Sequence, residues 1–216
     1  MKGLVLGAGV TLAVLGVWIA WDLAGSRRHS LRHFDGHQVG RLETAMWRSY
    51  YDHRSVRLFG ELVQLLREQY HLRFWQSCAG AFHAARSAVV FQKGHNRSEY
   101  ERALPDLVKY YRLIRRASDE DFQVDRVARL ELEWWIVHRE RSQRPRADLD
   151  RALAELQVAI YREPAERFEP HAKARAEAML LRDTSAEAGG VTERDWARIG
   201  ELLDASWVSL AGVVAR

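Results

Sequence analysis

The sequence predicts an all-α fold: an N-terminal transmembrane helix followed by an array of about four antiparallel helical hairpins, with a compact helical bundle as the alternative. Three observations carry that expectation. The chain of 216 residues holds only four prolines and is rich in Ala, Leu, Arg and Glu, which favour helix over sheet. Apolar residues recur at helical spacing, as in Leu58, Phe59, Leu62, Leu65 and Leu66. A six-residue pattern also occurs four times, at intervals of 45, 49 and 46 residues.

The first element is GLVLGAGVTLAVLGVWIAW, residues 3–21, which carries no charge. As a helix it would run about 28 Å, close to the hydrocarbon thickness of a bilayer. Trp18 and Trp21 suit an interfacial aromatic belt. The exit, WDLAGSRR, is a poor match to a signal-peptidase site. Residues 1–24 therefore read as a single-pass anchor in the cell membrane, and residues 25–35 as a basic juxtamembrane linker. Lys2 precedes the segment while Arg27, Arg28 and Arg32 follow it, so the positive-inside rule places residues 36–216 in the cytoplasm. Those arginines would sit against anionic headgroups.

From residue 36 onward the chain reads as one helical-hairpin domain. Ser98–Glu101 and Thr192–Asp195 resemble capping boxes, and breaks are expected at Gly94–Asn96, Arg144–Pro145, Glu169–Pro170 and Gly189–Gly190. Each copy of the repeated pattern follows a helix and a break: RLFGEL at 57–62, RALPDL at 102–107, RALAEL at 151–156 and ARIGEL at 197–202. A hairpin that must bury one face against its neighbour repeats its pattern when the hairpin repeats. Leu62, Leu107, Leu156 and Leu202 are thus expected at equivalent buried positions.

Ala152, Leu156, Ala159 and Pro164 have the spacing of the second helix of a tetratricopeptide repeat, and Gly94, Tyr100, Ala103 and Tyr110 form a looser version. The chain resembles a divergent member of that family, with longer periods and without the Trp and Leu-Gly signature of its first helix. The resemblance implies partner binding on a concave surface, without catalysis.

The chemistry-bearing residues point the same way. The 33 basic and 29 acidic residues are interleaved, which argues for solvated helix faces and against nucleic acid as a partner. One cysteine, Cys78, excludes an internal disulfide and any CxxC site. No nucleophile elbow, P-loop or H-E-x-x-H motif occurs, so no catalytic residue is assigned. Glu43, Glu131, His83, His138, His171 and Glu177 are the side chains a di-iron bundle would use. Ferritin-like sites, however, repeat Glu-x-x-His on two helices, and this chain does not. No metal and no cofactor are expected.

What remains is a membrane-anchored scaffold for a protein partner, with an accessory subunit of a larger membrane complex as the alternative and a metal-binding bundle or enzyme behind both; the bilayer is met through residues 3–21. Its binding face is expected on the first helix of each hairpin: Trp47, Tyr50, Tyr51, His83, Arg86, Trp135, His138, His171 and Arg175. Arg48, Arg54, Arg112 and Arg115 are the arginines expected beside a groove, because Arg and aromatic side chains dominate binding energy at interfaces.

Overall fold

The computed structural model describes residues 2–25 and 28–215, with the side chains of 2–10 and 12 outside the description. Helix α1 (Lys2–Ala24) is followed by α2 (Gly36–Tyr51), α3 (Ser55–Tyr70), α4 (Phe74–Lys93), the short α5 (Arg97–Tyr100) and α6 (Leu104–Ala117). The chain continues through α7 (Val124–Arg139), α8 (Arg146–Tyr161), α9 (Ala165–Glu187) and α10 (Glu193–Val214). At α2, α5 and α10 a side chain satisfies free N–H groups at the helix start. Asp35 accepts from the Gln38 N–H at 3.1 Å, and Thr192 with Asp195 forms a reciprocal capping box on α10. At α5 the cap is Asn96, which accepts from the Glu99 N–H, rather than the Ser98 expected from sequence. Pro170 lies within α9 instead of breaking it; Pro164 caps that helix at its start.

Four pairs, α2/α3, α4/α6, α7/α8 and α9/α10, pack in chain order, and each second helix carries one copy of the repeated hexapeptide, the copy at 102–107 beginning in the 3-10 turn that leads into α6. Leu107, Leu156 and Leu202 are buried, and Leu62 is partly buried against the same core. The array does not stay open. Helix α10 packs back against α2, so the helix contacts form a closed circuit.

The reason is written in α2, whose first residues are Gly-His-Gln-Val-Gly. A Cβ on Gly36 would stand 2.7 Å from the Trp207 carbonyl oxygen, and one on Gly40 would stand 2.7 Å from the Asp204 Cα. Both obstacles are backbone, so only glycine allows the two helices to approach this closely. Inside the circuit a continuous core includes Leu66, Leu107, Ile114, Ile136, Leu153, Phe168 and Leu210, each almost without exposed surface.

The membrane anchor does not stand. Among the described residues no helix is long and apolar enough to cross a membrane. The single-pass location and the cytoplasmic placement derived from it fall with the anchor. The end of α1 is engaged by protein. Asp22 is 5% exposed and accepts a hydrogen bond from the Trp75 N–H at 2.7 Å. Trp18 stacks on Phe74 at 6.3 Å, and the Arg73 guanidinium lies 4.3 Å from the Trp21 ring centre.

Arg27 and the side chain of Lys2 lie outside the described residues. Arg32, expected at headgroups, instead pairs with Glu120 at 2.7 Å and Glu163 at 3.3 Å. It also donates to the Tyr161 carbonyl at 2.7 Å and the Val214 carbonyl at 3.5 Å. One side chain before α2 thus ties together the loop after α6, the end of α8 and the end of α10.

Candidate partner-binding cleft

The nine residues expected on one binding face are dispersed by the closed circuit. Two of them are internal. Arg175 (α9) donates to Glu43 (α2) at 2.6 Å, and its guanidinium lies 5.1 Å from the ring centre of Trp134 and 5.9 Å from that of Trp207. The Trp207 indole N–H donates to the other Glu43 oxygen. Burial opposes the charge on Arg175, but Glu43 and Glu131 outweigh that cost and raise its pKa. Glu131 (α7) accepts from the Tyr111 hydroxyl at 2.7 Å and from the Trp135 indole at 3.0 Å. Burial pushes the Tyr70, Tyr110 and Tyr111 hydroxyls above their usual pKa, so all three stay protonated.

His171 is fully buried. Its Nδ1 lies 2.8 Å from Ser206 Oγ and 3.1 Å from the Ser206 carbonyl. Burial first, and then the nearby Arg175 charge, pull its pKa down to about 3.

The other expected residues form ties between hairpins or pack against the core. His83 and Arg86 both reach Asp106, at 2.9 and 3.1 Å. His138 and Arg141 reach Asp183 at 3.0 and 3.3 Å, joined by Arg182 at 2.9 Å. Burial opposes ionisation of Asp183, yet these partners hold its pKa below the usual carboxylate value. Arg182 also lies 3.2 Å from the centre of the Tyr51 ring, and burial pushes that phenol up to about 12. Tyr50 meets Tyr51 edge-on at 5.0 Å, and Trp47 packs partly buried against the core. Among the described residues, no three His, Cys, Asp or Glu side chains converge as a metal site.

Two of the arginines expected beside a groove, Arg48 and Arg54, do share one. An open groove of about 460 Å³ runs between α2, α3 and α10. Arg41 and Arg48 line it from α2, Arg54 and Arg57 from the start of α3, and Glu193 and Trp196 from α10. Arg48 forms a two-pronged pair with Glu193, with one prong at 2.9 Å, and its guanidinium lies 6.0 Å from the Trp196 ring centre. Arg54 pairs with Asp52 at 3.2 Å and Arg57 with Glu61 at 2.9 Å. Arg41 makes no ion pair among the described residues. Arg112 and Arg115 lie on α6, away from this groove.

Arg41, Arg57 and Trp196 were not singled out from sequence. The signal available was Arg41-x6-Arg48, two turns along one face of α2. A separate apolar surface includes Val14, Val17 and Trp21 of α1 and Phe74, Phe82 and Val89 of α4, all exposed. Searches of protein-family models, curated proteins and solved structures find no match to this chain.

Proposed function

We propose that this chain is a helical scaffold that binds a protein partner, and that the α2–α3–α10 cleft is where the partner docks. The cleft carries the proposal. It brings four arginines together in an open trough floored by the largely buried Trp196, and arginine is among the residue types that supply most binding energy at protein interfaces. Val56, next to Arg57 in sequence, leaves 90% of its surface exposed, and Phe59 leaves 37% exposed.

The test is a photo-reactive residue in place of Val56 in the full chain, compared with one in place of the exposed Glu155 on α8. Irradiation in extract of the source cells, followed by mass spectrometry, is expected to give a discrete cross-linked protein from position 56 alone. Identical products from both positions, or none from position 56, would overturn the proposal.

A further inference from the structure

We propose that the partner presents an acidic segment, and that one of its carboxylates takes the place on Arg48 now held by Glu193. This rests on the reading of the cleft as the docking site. The lining carries four arginines against one glutamate; Asp52 and Glu61 neutralise Arg54 and Arg57 from beside it, which leaves the positive excess on the Arg41 and Arg48 side of the groove. The Arg48–Glu193 contact shows which ligand the geometry accepts: a planar carboxylate meeting a guanidinium through both of its N–H prongs.

Glu193 is poorly committed to that role. Its side chain is 77% exposed and Arg48 is 41% exposed, so the pair is solvated, and exposed pairs contribute little to folding. When Glu193 leaves, Arg48 keeps Trp196 beneath it, so the guanidinium stays aimed into the groove. Arg54 and Arg57 retain acids of their own, and Arg41 has none among the described residues. A peptide with spaced carboxylates therefore finds one arginine open and one held by an exchangeable partner. Glu193 acts as an internal placeholder that weakens the site until a stronger acidic ligand arrives.

The experiment measures fluorescence anisotropy of a labelled peptide of alternating Glu and Ala against the full chain, with a Lys/Ala peptide as control. The acidic peptide binds and the basic one does not. Arg41→Ala with Arg48→Ala weakens binding on the order of tenfold or more, as expected when charge-assisted contacts are lost. Arg112→Ala with Arg116→Ala removes the same charge from exposed positions of α6 and changes binding little. Glu193→Gln tightens binding by roughly two- to fivefold, because the internal competitor is gone. Circular dichroism and melting of all three variants match the parent, which separates binding loss from unfolding.

Equal weakening by the two double variants would overturn the proposal, and so would unchanged or weaker binding by the Glu193→Gln variant. Displacement of the peptide by equimolar inorganic phosphate would overturn it too, because a lone anion would then suffice. If Val56 cross-links a discrete protein but the acidic peptide fails, the docking site stands and this inference falls. If the peptide behaves as stated and no protein cross-links, the cleft is an anion site and the scaffold reading falls.

Discussion

Arg175 and Arg48 are built from the same parts and do opposite work. Each pairs with a glutamate and lies against tryptophan: Arg175 with Glu43, Trp134 and Trp207, and Arg48 with Glu193 and Trp196. They differ in their access to water. The Arg175 side chain is 13% exposed and Glu43 is 2% exposed, against 41% and 77% for the outer pair. A buried pair cannot release one partner without stranding a charge, so it is confined to holding helices together. A solvated pair loses little on separation, so its arginine remains available to another carboxylate. Residue type alone does not separate a strut from a binding group; the dielectric around it does.

The comparison breaks most clearly at Arg175. Arg175→Ala leaves Glu43 buried and unpaired, which costs about 3–5 kcal/mol. Urea denaturation should show that loss, whereas Arg48→Ala leaves the midpoint unchanged. If the two variants have the same stability, burial does not divide their roles. Replacing the whole inner pair, Arg175→Met with Glu43→Gln, should recover part of the loss because no charge is then stranded.

A smaller effect comes from His171 beside the inner pair. Its folded pKa, about 3, lies below the ordinary value of 6.5, so the folded state favours the neutral ring. That contribution is fully present above pH 6.5 and is lost as pH falls toward 3, at about 1.4 kcal/mol per pH unit. Denaturation at about pH 7 and pH 5 should show this decline in the parent and a shallower one in His171→Asn. Equal slopes would mean that His171 does not report the dryness of the interior.

The smallest change sharpens the comparison from the backbone side. Gly40→Ala places a methyl against the Asp204 backbone, and overpacking of this kind costs about 1–3 kcal/mol. Because the cleft lies between α2 and α10, that variant should also weaken acidic-peptide binding without touching any cleft arginine. Normal binding in the destabilised variant would show that the cleft tolerates separation of the two helices.

What was legible in the sequence was local. The hexapeptide begins in the first half of each second helix or just before it, so spacing alone located Leu107, Leu156 and Leu202 in the core. Arg175 and Glu43 were both noticed, one as a partner-facing cation and one as a metal-ligand candidate. Nothing in either neighbourhood reveals that they meet across 132 residues. Gly36 and Gly40 were the available trace of closure, four residues apart on one helix face. They pass unremarked unless a second backbone is known to lie opposite. Residues 3–21 illustrate the converse error: hydropathy registers what a segment is made of, but not that Asp22 and Trp18 at its end are met by the start of α4.

The Arg32 tie bears on the order of assembly during synthesis. Its link to the Val214 carbonyl spans 182 residues, and Glu43 waits 164 residues for the Trp207 indole. Contacts this distant in sequence form slowly, since the intervening chain must be gathered first. A nascent chain can stack α3 through α9 as they emerge, but α2 keeps an uncovered flank and a carboxylate without its indole donor until α10 has left the ribosome. Completion of α10 is therefore the event that closes the circuit, and a chain truncated before α10 leaves that flank of α2 uncovered.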